Sequence, residues 1–540
     1  MKLNPENSVS IIHVKLNAKR YTGVYILNLT KNLPSHTMGI KSKLILPAAK
    51  WTASKINKWS KTAVEDQNRM LIDLASKAAN TQYGKDHNFK DISNYEDFKR
   101  NVPINDYEDL RKYIDEIIAG KSDVLWPGKP KYFAKTSGTT SGVKYIPITK
   151  ASMPNHIVSA RNAILNYVAE SGNGAAFDGK MIFLSGSPVL TTKGGIPTGR
   201  LSGIVNHEIP AWLRPNQMPS YETNCIEEWE PKLEKIVDET LKKDMRLISG
   251  IPPWVQMYYE RLLERTGKSS VKEIFPNFNL FIYGGVNFEP YRAQLEKLIG
   301  GKVDSVELYP ASEGFIAYQT KQDDPGLLLN TKSGIFFEFI PVEEAHSENP
   351  TRLKLDQIEL NKDYALLINS NAGLWGYSIG DCVKFISKDP YKLVVTGRIK
   401  HYISAFGEHV IGKEVEEALM TVAKKEGVRV IEFTVAPQVS PPEGGTPYHE
   451  WFVEFGNIPD DLNRFAAMVD DEMIKQNIYY QDLIDGKILK PLKLNAMQND
   501  AFRNYMKDQG KLGGQNKVPR LSNDRKLADQ LLPYINKSSN

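Results

Sequence analysis

The sequence predicts an α/β protein. A large N-terminal body with mixed and parallel sheets carries a beta subdomain and is followed by a smaller α+β C-terminal lobe. Three observations carry this. Between residues 181 and 309 short β-prone runs alternate with amphipathic helical stretches, the pattern of a parallel sheet covered by helices. After Ser312 the helices drop out and β-prone runs follow one another. From Lys413 helices and strands mix again, and 540 residues are too many for one ordinary core. A boundary near residues 396–400 divides a body at 38–398 from a lobe at 399–540, which is a normal domain size.

In chain order, apolar positions at helical spacing run over residues 43–80, with Met70, Leu71, Leu74, Ala75 and Ala78 among them. A polar segment at 83–86 leads to 95–100 and to a helix near 107–119. Trp126-Pro127-Gly128 is a loop, a hydroxyl-rich hairpin follows, and a long helix is expected over 152–167. The alternating region then offers strands at 181–184, 245–249, 279–283 and 303–309, with helices at 227–243 and 289–298. Ligands of such sheets bind beyond the carboxyl ends of the strands, where Gly284, Gly285 and Tyr309 fall. The β-rich run comprises 335–340, 364–369, 383–386 and 393–396. The lobe reads as a helix at 413–425, strands at 429–436 and 450–455, and helices at 460–476 and 495–508.

Composition removes several function classes. Net charge is +5, from 69 basic and 64 acidic residues, which gives no case for nucleic acid or an anionic membrane as partner. Cys225 and Cys382 are the only cysteines, so a disulfide framework and every multi-cysteine metal site are excluded, and a reducing cytoplasm fits. No run of 18 apolar residues exists to span a membrane. Lys15, Lys19 and Arg20 interrupt any signal-like apolar stretch, so residues 1–37 are expected to be a disordered extension or a misassigned start, with Met38 as initiator. A monomer acting on small molecules is expected. The nine histidines show no H-x-x-x-H spacing, and Ser185-Gly186-Ser187 lacks the G-x-S-x-G frame, which argues against zinc hydrolases and α/β-hydrolases.

The strongest chemical signal is the hairpin. Thr136-Ser137-Gly138-Thr139-Thr140-Ser141-Gly142 consists of nothing but hydroxyls and glycine, flanked by β-prone residues and followed by Lys144. Its glycines permit the turns and close backbone approach that wrapping a polyphosphate requires. A solvated turn is the plain alternative, since Ser, Thr and Gly dominate turns. It is not a Walker A loop, because a valine separates Gly142 from Lys144 and a strand follows.

Tyr309-Pro310-Ala311-Ser312-Glu313-Gly314 ends a strand with an aromatic, a hydroxyl and a carboxylate. The aromatic can stack on a base and Glu313 can hold a hard cation, or Glu313 merely begins a helix. Tyr377-Ser378-Ile379-Gly380-Asp381 puts Asp381 on a glycine turn, suited to vicinal hydroxyls or to a turn alone. Thr396-Gly397-Arg398 closes a strand at the proposed boundary, and Lys517 lies in the loop-like run 513–520.

In this order the motifs T-S-G-T-T-S-G, Y-P-A-S-E-G, Y-S-I-G-D and T-G-R resemble the adenylate-forming superfamily. The chain length, the A-S-E-G form and the late Q-N-K-V-P-R are similar to the auxin-responsive acyl acid–amido synthetase family in its bacterial branch, over residues 43–525. The resemblance implies that residues 137–144 hold the ATP phosphates and that Gly284, Gly285 and Val286 form the adenine wall beside Tyr309. It further implies that Ser312 contacts the nucleotide, Glu313 ligates Mg2+, and Asp381 with Arg398 takes the ribose. Lys517 would reach the reacting carboxylate and the α-phosphate from a mobile C-terminal lobe. The chain departs from the pattern in three places. One residue, where two are usual, separates Gly142 from Lys144, Gln515-Asn516 replaces an aromatic, and Ser378 stands where arginine is common.

The implied activity is ATP-dependent acyl-adenylate formation followed by transfer to an amine, an amino acid, with ATP and Mg2+ as cofactors. Thioester formation with coenzyme A and a nucleotide-binding protein without catalysis are the competing readings. The presence of Glu313, Asp381 and Lys517 argues against the last. The acyl pocket is sought among residues 181–187, 204–213 and 336–339.

Overall fold

Eleven strands form the central sheet. In spatial order they are Ile335–Pro341, Asp363–Ser370, Tyr377–Lys388, Tyr391–Arg398, Leu327–Leu329, Gly314–Gln319, Asp304–Ala311, Leu280–Gly284, Met245–Ser249, Lys180–Phe183 and Gln217–Met218. Every pairing from Asp304–Ala311 to Gln217–Met218 is parallel, and every pairing on the other side is antiparallel. The β-rich run is therefore the antiparallel half of the same sheet. The computed structural model describes residues 39–136, 143–209, 213–285, 288–345, 347–398, 402–403, 405–408, 410–509 and 518–536. The expectation for residues 1–37 lies outside them.

The parallel half is apolar on both faces because helices cover both. Ile182, Ile248, Phe281 and Tyr283 pack on one side with Trp229, Ile236, Tyr258, Leu262 and Leu295 from the helices Trp229–Thr240, Pro252–Thr266 and Glu289–Ile299. Their neighbours Met181, Leu247, Leu280 and Ile282 face the other way, against Ile56, Ala163 and Val168 of the helices Ile40–Ser60 and Met153–Ser171. This is the two-residue period of a strand expressed as two cores.

A separate sheet of four strands carries the hydroxyl-rich hairpin. Tyr132–Thr136 pairs antiparallel with Lys144–Ile148, and on its other edge runs parallel to Ile196–Gly199, which pairs with Thr191–Lys193. Toward the C-terminus, Val430–Gln438, Tyr448–Phe455 and Lys493–Ala496 form a smaller sheet packed by the helices Gly412–Glu426 and Leu462–Gln476. The helix expected over 495–508 is corrected here. Residues 495 and 496 end the strand Lys493–Ala496, and the helix Ala501–Asp508 starts only after Asp500 turns the chain at φ 58°. Asn495 is held in the sheet because its amide donates to buried Glu450.

Met38–Asn540 form one compact unit. One apolar cluster runs from Trp229, Tyr258 and Leu295 through Ile403 and Phe406 to Val415, Leu419, Trp451 and Val469. No described helix is long and apolar enough to cross a membrane.

Candidate active site

Of the predicted residues, Tyr309, Ser312 and Glu313 lie at the seam between the two halves of the central sheet, and Asp381 meets Tyr309 from the antiparallel half. Strand Asp304–Ala311 reverses through Ser312 and Glu313 into Gly314–Gln319, with Ala311 opposite Gly314. Glu313 thus occupies a tight hairpin and begins no helix. Gly314 is tightly enclosed, since a Cβ there would lie 2.5 Å from Ile335.

Tyr309, near the end of the same strand, donates its hydroxyl to the Asp381 carboxylate, and both residues are buried. Asp381 does not sit in a turn, as its glycine suggested. It lies inside the twelve-residue strand Tyr377–Lys388, just before a register shift between Cys382 and Val383. Gly380, at φ 83°, supplies the backbone bend that lets the strand continue, and Asp381 is paired in register with Arg398.

The hairpin's tip, residues Ser137, Gly138, Thr139, Thr140, Ser141 and Gly142, lies outside the described residues. Its stem is described. Thr136 pairs with Lys144, whose ammonium stands 5.6 Å from the Tyr107 ring, while the Tyr107 hydroxyl accepts from the Tyr145 amide at 2.9 Å. Beyond the stem, Thr149 donates to the Asn371 carbonyl at 2.7 Å, and Asn371 returns a bond to Ala151 at 2.8 Å. Asn155, in the first turn of the following helix, accepts from the Phe315 amide at 2.6 Å and donates to the Phe315 carbonyl at 3.2 Å. This double bond ties the hairpin's exit helix to the backbone beside Glu313. Sequence reasoning missed Asn155, and its only signal is a polar residue on an otherwise buried helical face.

Gly284 ends its strand where a Cβ would meet the Leu308 carbonyl at 2.3 Å, and Gly285 follows at φ 84°. A side chain at Gly284 would displace backbone, and one at Gly285 would be strained by its positive φ. Val286 and Lys517 lie outside the described residues, as does the side chain of Arg398. The chain is described again just past Lys517. There Thr434 donates to the Pro519 carbonyl at 2.7 Å and Leu521 bridges Val435 in parallel.

A second polar cluster, also missed, lies at the stem of the hairpin. The Tyr479 hydroxyl donates to the Lys135 carbonyl at 2.6 Å, and Arg200 stacks 5.0 Å from the Tyr479 ring while pairing with Asp482. Burial, reinforced by the Arg200 charge, holds the Lys135 ammonium below the usual lysine range. His156, next to Asn155, is pushed down to about 4 by burial. A cavity of about 480 Å3 lined by Ser220, Thr223 and Glu239 has none of the motif residues in its wall.

Comparison with known proteins places the chain in one family. The chain matches the GH3 family N-terminal domain over residues 52–223 and 199–303, the central domain over 328–398 and the C-terminal domain over 413–526. It is 23% identical to indole-3-acetic acid-amido synthetase GH3.3 of Arabidopsis thaliana, over 84% of this chain and 88% of that protein. It is 22% identical to jasmonoyl--L-amino acid synthetase JAR4 of Nicotiana attenuata, over 71% of this chain and 78% of that protein. The solved structure of the GH3.15 acyl acid amido synthetase superposes with a TM-score of 0.58 at 16% identity, covering 90% of this chain and 96% of that one. With three domains of one family matched in order along most of its length, the chain belongs to the GH3 family.

Proposed function

We propose that the protein is a ligase that activates a carboxylic acid with ATP as an acyl adenylate, then transfers the acyl group to an amino acid to form an amide. The observation that carries this reading is that Asp381 of the Y-S-I-G-D motif is hydrogen-bonded to Tyr309 of the Y-P-A-S-E-G motif, whose Ser312 and Glu313 form the turn at the seam of the sheet. Membership of a family whose similar members are named amido synthetases supports it.

A carboxylate is a poor electrophile at neutral pH. Attack of its oxygen on the α-phosphorus of ATP expels pyrophosphate and leaves an acyl group bonded to AMP, a good leaving group. Hydroxyls and amides of residues 136–142 would cradle the phosphates. Gly284 and Gly285 offer bare backbone to the base beside Tyr309, whose hydroxyl orients Asp381 for the ribose hydroxyls. Arg398, paired with Asp381 in register, would join it there, and Ser312 would contact the nucleotide.

Glu313 presents one carboxylate, and among the described residues no three His, Cys, Asp or Glu side chains gather to hold a metal ion. That donor set suits a magnesium ion carried mainly by phosphate oxygens. Bound there, Mg2+ would offset charge on the phosphoryl oxygens. Lys517 would add a second positive charge at the α-phosphate, delivered by a lobe at 399–540 that turns about residues 397–400 between the half-reactions. The amine then attacks the acyl carbon and AMP departs. The reading includes a monomer working in the cytoplasm on small-molecule acids and amines, without nucleic acid.

A pyrophosphate-release screen of carboxylic acids, followed by product analysis with amino acids or coenzyme A, tests it. Acid-dependent release and an amide product are expected. Release independent of any acid removes the activation step, and a thioester formed in place of the amide replaces the second step.

A further inference from the structure

Arg200 stands where three parts of the chain meet. It follows the strand Ile196–Gly199, whose Gly199 pairs with Ala134 on the strand leading into the hydroxyl-rich hairpin. It packs over the loop after strand Lys180–Phe183, since a Cβ on Gly186 would lie 3.0 Å from the Arg200 Cδ. That loop is at the carboxyl end of a parallel strand, where ligands of such sheets bind. The third part is the helix Ile478–Asp485, which brings Tyr479 onto the guanidinium and Asp482 into an ion pair with it.

The surroundings are cationic. Lys232 is buried and donates to the Ser185 carbonyl at 3.0 Å and the Asn224 carbonyl at 2.8 Å, on the far side of the same loop. Lys135 lies on the hairpin stem within electrostatic reach of Arg200, with Glu227 as a carboxylate neighbour. Asp482 is the carboxylate on Arg200 itself, and its side chain is 42% exposed, so it serves no core. The helix that carries it is held instead by buried Tyr480 and Leu483 and by the Asn477 cap. Tyr479 and Asp482 would leave together if the lobe turns. The guanidinium would then stand beside Lys135 and Lys232 without its carboxylate, and a planar fork of donors in that setting selects another one.

We propose that Arg200 receives the α-carboxylate of the acceptor amino acid, and that Asp482 is an internal carboxylate occupying that place until the C-terminal lobe moves. The proposal rests on the reading of the protein as an amide-forming ligase and names the feature by which its acceptor is recognised. An amino acid bound this way would lie beside the stem of the hydroxyl-rich hairpin.

The test compares an amino acid with its methyl ester as acceptor, using an acid found in the pyrophosphate screen. The unmodified protein prefers the free acid. In Arg200→Ala the ratio of kcat/KM for acid over ester falls by about 10- to 100-fold, as for loss of charge-assisted hydrogen bonds, and Arg200→Lys restores part of it. Asp482→Asn lowers KM for the amino acid and leaves that for the ester where it was. An equal loss for both acceptors, as for an arginine that serves pyrophosphate or the fold alone, overturns the proposal. If Arg200→Ala does not fold, Arg200→Lys and Asp482→Asn carry the comparison. Calorimetry adds an arm independent of turnover, in which Asp482→Asn binds the amino acid more tightly than its ester. No discrimination there overturns the proposal, whereas absence of pyrophosphate release from every acid overturns only the activation reading.

Discussion

Asp381 is fixed by its neighbours before any ligand arrives. The Tyr309 hydroxyl holds its carboxylate and the strand around it fixes its backbone, so a ribose would meet an oriented acceptor. Asp381→Asn should therefore raise KM for ATP by about 10- to 100-fold, the loss of charge-assisted bonds to two hydroxyls, with a much smaller effect on KM for the acid. Steady-state kinetics check this, and equal use of ATP and 2′-deoxy-ATP by the unmodified protein would remove the ribose assignment. His156 makes a prediction about pH. Burial depresses its imidazole from 6.5 to about 4, and its Nδ1 has no hydrogen-bond partner among the described residues. Well above pH 6.5, both folded and unfolded forms are neutral. As pH falls from about 6.5 to about 4, the unfolded chain takes a proton that the folded one refuses, and about 3 kcal/mol of stability is lost. His156→Phe should lose correspondingly less between pH 7 and pH 4, measured by denaturant unfolding at each.

At the scale of elements, a buried network sets the corner from which the Asp381 strand departs. Glu338 is fully buried in the strand Ile335–Pro341, where it pairs with Arg352 at 2.7 Å and accepts from Tyr95 at 2.9 Å and Asn369 at 2.8 Å. Asn369 in turn accepts from the Gly376 amide, and Asn105 donates to the Trp375 carbonyl at 2.7 Å. Arg352→Met should cost about 3–5 kcal/mol in denaturant unfolding, because it leaves a buried charge without its partner. Adding Glu338→Gln should recover part of that loss. Most elements of this scale were legible. The strand expected at 245–249 is Met245–Ser249, and the alternation around it correctly implied a helix-covered parallel sheet. The short strands Thr191–Lys193 and Ile196–Gly199 were not, because a Thr-, Gly- and Pro-rich stretch reads as loop and becomes strand only by pairing with Tyr132–Thr136.

For the whole molecule, the two proposed half-reactions would make different demands on Lys517. Lys517→Ala should slow acyl-adenylate formation by about 10²–10³, or about 2.7–4 kcal/mol, as for one transition-state charge donor. Amide formation from a supplied acyl adenylate should persist near the unmodified rate. Single-turnover assays on each step separate these, and equal slowing of both removes the two-position lobe. The motifs of the site were readable because each packs its chemistry into adjacent residues. The ties between them were not, since Asn155 reaches Phe315 across 160 positions and Arg200 reaches Asp482 across 282, distances over which sequence spacing carries no signal. The hairpin stem belongs to the small four-stranded sheet, built apart from the large one, and Arg200 directly follows its strand Ile196–Gly199. That sheet is a caliper. One jaw is the stem of the hydroxyl-rich hairpin, the other runs on into Arg200, and hydrogen-bonded strands about 4.8 Å apart set the opening. If Arg200 takes the acceptor's carboxylate, the reach from that carboxylate to its amine would be gauged against the spacing of these strands, and changing the side chains around them would leave that measure in place.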